Sequence, residues 1–207
     1  MTSPSPLLYD TYYHIYNRGN NRENIFVQER NYTHFMNLYA KYIDPIAETF
    51  AYCLLRNHFH VLARIKPEEE ILSKIQTFRV SKTLKVADIP SKKFSDFFNA
   101  YAKAINSAYG RSGSLFQHPF GRVPVASERQ FWNVIAYIHQ NPQKHKFVDD
   151  FRDWKYSSYG VLILERPTKL QRELVLDWFG GKEQYVKLHE EWVTDAKSKW
   201  FAEDDRD

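Results

Sequence analysis

The chain has 207 residues, 16% of them aromatic, and 29 Lys and Arg against 25 Asp and Glu give a formal charge of +4. This length suffices for one domain with a substantial core, and no compositional break calls for a second. The single cysteine, Cys53, excludes an internal disulfide and any multi-cysteine zinc site, and no apolar run approaches the roughly 18 residues that a membrane-spanning helix needs. No signal-peptide pattern precedes the first strand, so the expected location is the cytoplasm, with no membrane partner.

The charge is unevenly spread. From Glu190 to Asp207 seven acidic residues stand against Lys197, Lys199 and Arg206, a local charge of −4 that leaves +8 on the rest. A basic body behind an acidic tail favours a polyanionic partner, nucleic acid first. The many tyrosines suit either a core or a surface on which bases stack.

Residues 1–8, opening MTSPSP, are expected to be a disordered lead-in, since they offer little to bury. Tyr9 to Arg18 alternates as a strand, with Tyr12, His14, Tyr16 and Arg18 on one face and Tyr13, Ile15 and Asn17 on the other. The turn from Asn17 to Arg22 is rich in residues that tolerate positive φ and can offer backbone N–H groups to a phosphate. Glu29 to Ile43 predicts a helix, ended by Asp44-Pro45. Phe50 to Leu55 and His58 to Ile65 read as two strands joined at Arg56-Asn57.

In the second of these strands Phe59, Val61, Ala63 and Ile65 share the apolar face, while His58, His60, Leu62 and Arg64 share the other. Two imidazoles one residue apart on a strand lie about 6.6 Å apart along the backbone, a geometry that can hold a metal ion. An isolated strand histidine is more often structural. Here both point away from the better core-facing set.

Glu68 to Val86 predicts a surface helix. Ile89-Pro90 breaks the pattern, and Lys82, Lys85, Lys92 and Lys93 make this connection a basic edge able to track phosphates. Phe94 to Tyr109 keeps a helical rhythm up to Gly110, a C-terminal cap. Leu115 to Val125 is expected to be an edge strand because of Pro119 and Pro124. Ser127-Glu-Arg-Gln130 is a capping box that starts a helix with Phe131, Val134, Ile135 and Ile138 as its core stripe. Tyr137 and Asn141 fall on a flank of that stripe, free to face a partner, and Pro142 is expected to end the helix. Trp154 to Tyr159 should pack the chain back on the core.

A tyrosine can attack phosphorus and hold a phosphodiester covalently, and a metal on His58 and His60 could orient the scissile phosphate. A phenol needs a metal or a nearby cation to ionise, and no dedicated general base is visible.

Four motifs carry a resemblance: Tyr13-His-Ile-Tyr-Asn-Arg-Gly19, Asn57-His-Phe-His60, Gly113-Ser-Leu-Phe-Gln117 and Tyr137-Ile-His-Gln-Asn-Pro142. In this order, over about residues 9–160, they resemble the REP-associated tyrosine transposases of the single-tyrosine HUH superfamily. The resemblance implies an α+β, ferredoxin-like (RRM-like) central antiparallel sheet flanked by helices, the HUH nuclease fold. It implies an enzyme that cuts single-stranded DNA beside palindromic hairpin repeats, with Tyr137 as nucleophile and a 5′-phosphotyrosine intermediate. His58, His60 and Asn141 would hold Mg²⁺ or Mn²⁺. Arg18 and Arg22 would lie near the hairpin foot, with Tyr12, His14, Tyr16 and the four lysines as further DNA contacts. Residues 161–207 would form a helical extension with an acidic tail, and relatives occur as monomers or homodimers. Departures lie beside the chemistry: Arg56 stands where a proline commonly precedes the Asn-His pair, and Gln143-Lys-His-Lys146 replaces the usual Val-Arg-Ala-Gly. Two other readings share the pattern, a non-catalytic DNA-hairpin-binding regulator and an RNA-binding module that uses sheet aromatics such as Tyr12 and Tyr16.

Overall fold

The computed structural model describes residues 6–75 and 86–194. Four strands, β1 (Tyr12–Arg18), β2 (Ala47–Leu54), β3 (His58–Ile65) and β4 (Gly121–Val125), form one antiparallel sheet in the order β2-β3-β1-β4. The inner pair is thus β1 and β3, registered so that Tyr16 lies opposite His60 and Arg18 opposite His58. Pro124 sits on edge strand β4, where its missing N–H costs no ladder bond to a further strand.

Strand alternation divides the side chains into two cores. On one face Tyr13, Ile15, Phe59, Val61, Ala63 and Ile65 meet α1 (Glu29–Tyr42) and α3 (Ile89–Tyr109), including Phe35, Phe94, Phe97 and Tyr101. On the other, Phe50, Ala51, Cys53, Leu62 and Val125 meet α4 (Glu128–Lys144). A register shift between Thr49 and Ala51 is the bulge that lets β2 feed both. Behind α4 lie α5 (Tyr159–Ile163), α6 (Arg172–Phe179) and α7 (Lys182–Thr194), whose Leu162, Val175, Phe179 and Tyr185 complete the second core. Residues 172–185 therefore share a core with α4.

Local chemistry accounts for the helix ends. Ser127 Oγ accepts from the N–H of Gln130, and the Gln130 side chain accepts from the N–H of Ala126 at 2.8 Å and of Ser127, the reciprocal bonds of a capping box. Gly110 ends α3 at φ 61°, and Pro90 sits in its first turn, where no N–H partner is needed. Ile89-Pro90 thus lies in the first turn of α3.

Several expectations are corrected. Leu7 is fully buried and its N–H donates to Ser91 Oγ at 3.0 Å, so order begins within the expected lead-in. Only Gly121–Val125 of the stretch from Leu115 is strand; Phe116 instead bridges to Gly19. Helix α2 covers Glu68–Ile75, and the rest of that expected helix, with Lys82 and Lys85, lies outside the described residues. Pro142 does not end α4, which runs on to Lys144 at the loss of one backbone bond to the Ile138 carbonyl.

Candidate active site

The site grows from the α4 side of β1 and β3. His58 and His60 share that face, as their alternation requires, but it is not a solvent face: they are 4% and 2% exposed. Helix α4 covers them, because α4 lies between the sheet and α7 and buries its whole circumference from Val134 to Pro142. The apolar stripe therefore marked one of two buried faces. Tyr137 and Asn141, expected on an available flank, are both fully buried.

Each site side chain has a defined setting. His58 Nδ1 lies 2.7 Å from Asn57 Oδ1, a bond in which the ring must donate, so its Nε2 carries the lone pair. His60 Nδ1 lies 3.0 Å from His14 Nε2, with the two rings stacked at 21°. Burial, together with His14, His58, His145 and Lys144, holds the His60 imidazole well below its ordinary pKa, hence neutral, the form that binds metals. The Tyr137 ring stands edge-on to His60, with centroids 5.4 Å apart, and to His14 at 5.8 Å. Lys144 Nζ lies 5.0 Å from the centre of the Tyr137 ring, a cation over its face. Asn141 Nδ2 donates to the Tyr137 carbonyl at 2.8 Å.

The donor set fits a divalent cation in kind. His60 Nε2 and Asn141 Oδ1 are buried without a hydrogen-bond partner, an arrangement that costs stability unless something fills it. With His58 the set is two imidazoles and one amide oxygen. It includes no carboxylate, and among the described residues no group of three or more His, Cys, Asp or Glu is placed to hold a metal.

The expected DNA contacts divide. Arg18, at the end of β1, and exposed Arg22, at φ 59° in the following turn, stay beside the His58 end of the sheet. Tyr16 is half-buried over Gly121, with its ring 5.1 Å from His14. Tyr12 is half-buried against Phe50, Phe131 and Trp178, whereas fully buried His14 belongs to the histidine cluster and presents no face to a nucleic acid. Lys92 and Lys93 belong to the first turns of α3, on the opposite side of the sheet, where Lys92 pairs with Asp96.

Lys144 and His145, whose ring lies 4.8 Å from that of His58, escaped sequence reasoning. Tyr137, Asn141 and Lys144 stand at i, i+4 and i+7, a spacing that places them on one helix face and could have revealed the lysine.

The fold and site together define an α+β protein in which a strand-borne histidine pair faces a tyrosine helix of the same chain. No family model matches the chain. It is similar to a Haemophilus influenzae protein named "Putative REP-associated tyrosine transposase", 30% identical over 112 residues, which are 54% of this chain and 58% of that relative. Its fold is that of a solved REP-associated tyrosine transposase bound to a REP hairpin, with a TM-score of 0.56, 17% identity, and coverage of 81% of this chain and 88% of the other. Both comparisons agree with the resemblance carried by the four motifs, and the expected α+β sheet with flanking helices stands. Among the described residues no helix is long and apolar enough to cross a membrane.

Proposed function

We propose that this protein is a metal-dependent, tyrosine-nucleophile DNA endonuclease and strand transferase that acts in the cytoplasm on single-stranded DNA beside palindromic hairpins. The observation that carries the reading is the placement of the Tyr137 ring 5.4 Å from the His60 ring within one chain. That arrangement needs no second copy to supply the tyrosine. The two transposase likenesses support the same chemistry and a hairpin substrate.

Attack of the Tyr137 oxygen on phosphorus forms a P–O bond to the enzyme and breaks the bond to the 3′ oxygen, leaving a 5′-phosphotyrosine and a 3′-hydroxyl. The phenol gives its proton to solvent, and the departing oxygen takes one up. Lys144 stabilises the charge that develops on the phenol, and Asn57, by accepting from His58 Nδ1, leaves the lone pair on Nε2. His58, His60 and Asn141 would hold Mg²⁺ or Mn²⁺, which when bound neutralises and orients the non-bridging oxygens of the scissile phosphate. Imidazole donors favour Mn²⁺ over Mg²⁺. Arg18 and Arg22 would meet the DNA backbone at the hairpin foot.

One observation favours the reading of a non-catalytic hairpin-binding regulator. Tyr137 is 0% exposed, so no phosphodiester reaches it until α4 and the sheet part. Incubation with hairpin-bearing single-stranded DNA and Mn²⁺ separates the two. Catalysis predicts a covalent protein–DNA adduct that disappears in Tyr137→Phe, with hairpin binding retained. Binding without an adduct, under either metal and over many hairpins, would favour the regulator.

A further inference from the structure

His14 lies in β1, one step diagonally from His60 across the inner strand pair, and no sequence motif for metal ligation includes it. Its role turns on where one proton sits. The His14 Nε2 to His60 Nδ1 distance of 3.0 Å is that of a hydrogen bond, and a single proton occupies it, so one nitrogen donates and the other accepts. If His14 were the donor, neutral His60 would carry its own proton on Nε2. That would place an N–H on buried His60 Nε2, but the opposite arrangement places the proton of neutral His14 on its equally buried Nδ1, so burial alone does not choose between them. The metal-site reading chooses: only with the proton on His60 Nδ1 is the same Nε2 a lone pair that can act as a ligand.

We propose that His14 is a positioning residue: its Nε2 accepts from His60 Nδ1 and so holds His60 in the tautomer and ring orientation that bind a divalent cation through Nε2. The inference rests on the metal-site reading given above and assigns His14 no contact with substrate. Two observations strengthen it. The rings are stacked with centroids 5.1 Å apart, and His14 is itself walled in by Tyr16 at 5.1 Å and Tyr137 at 5.8 Å, so its orientation is fixed before any ion arrives. Asn57 does the same for His58 by accepting at that ring's Nδ1. The two strand histidines would then each have their own acceptor, an arrangement that raises the basicity of a ligand and orders it in advance.

The test is Mn²⁺ affinity of the isolated protein, measured by titration calorimetry without DNA, for the unaltered chain, His60→Ala, His14→Phe and His14→Gln. Phenylalanine keeps the ring and removes the acceptor; the glutamine amide oxygen can restore it. The expected result is affinity about 10- to 100-fold weaker in His14→Phe and largely recovered in His14→Gln, with unfolding temperature tracking neither. If the unaltered protein and His60→Ala bind Mn²⁺ equally poorly, the metal-site reading fails. If the unaltered protein binds, His60→Ala does not and His14→Phe matches the unaltered protein, only the role of His14 is overturned. Should His14→Phe not fold, nitrogen NMR of the unaltered, ¹⁵N-labelled protein decides. A coupling across the hydrogen bond with the proton on His60 Nδ1 supports the proposal, and the proton on His14 Nε2, or no coupling, refutes it.

Discussion

Asn141 shows how a single residue can be unfavourable for folding and useful for chemistry. Its Nδ2 is satisfied by the Tyr137 carbonyl, but its Oδ1 is buried without a donor, a penalty of about 1–3 kcal/mol for a group of this kind. A residue selected only for stability would not leave that oxygen there. Asn141→Leu, similar in volume and without the orphan, is therefore expected to unfold at an equal or higher denaturant concentration than the native chain while losing Mn²⁺ binding. A marked loss of stability would show that the oxygen is already satisfied in solution and is no vacant ligand. The same reasoning explains why burial alone misleads at this scale, since His58, His60, Tyr137 and Asn141 are as buried as the leucines around them.

At the level of the element, the turn after β1 makes the clearest case. Its composition suggested residues that accept positive φ, and Asn21 at 49° and Arg22 at 59° do so. Gly19 is needed for a different reason: at φ −62° its backbone is ordinary, but an added Cβ would meet the Glu23 carbonyl oxygen at 2.1 Å. Gly19→Ala should accordingly cost about 1–3 kcal/mol by forcing that turn apart, visible as a lower urea midpoint. An unchanged midpoint would mean that the turn yields freely. Signals written within a few residues, such as the Ser127 capping box, the Gly110 cap and the edge-strand proline, were legible in the sequence, as were the two faces of β3. Contacts across long separations were not. His14 and His60 are 46 residues apart and His139 and His189 are 50, and no local pattern distinguishes such a pair from solitary histidines. The covered face of the sheet was hidden for a related reason, since it needed α4 to be sandwiched by a C-terminal layer whose packing has no periodic signature of its own.

Across the whole molecule, that C-terminal layer is tied to the tyrosine helix by a buried polar chain. His139 of α4 lies 2.9 Å from His189 of α7 and 2.8 Å from Ser158 Oγ, while the Tyr185 carbonyl and hydroxyl meet His189 and His139. Burial, aided by His189, pushes His139 well below its ordinary range, and burial lowers His189 to about 4. Both rings are thus neutral in the fold but would take up protons near 6.5 once unfolded, so the unfolded state binds more protons in that interval. Their contribution is fully present above pH 6.5 and is lost as the pH falls through 4. His189 alone would account for on the order of 3 kcal/mol. Urea unfolding followed from pH 7 to pH 4 should show that decline, and a flat profile would mean that the pair is accessible to protons in the native state.

The inner position of β1 and β3 has a last consequence. Sheets open from their margins inward, and the sheet's two margins are β2 and β4, whereas the histidines of the candidate site ride on the pair between them. Fraying of either outer strand leaves the register of Tyr16 with His60 intact. His58 and His60 therefore sit in the last part of the sheet to exchange its amide protons with water, and they stay aligned through fluctuations that would disarm a site built on loops.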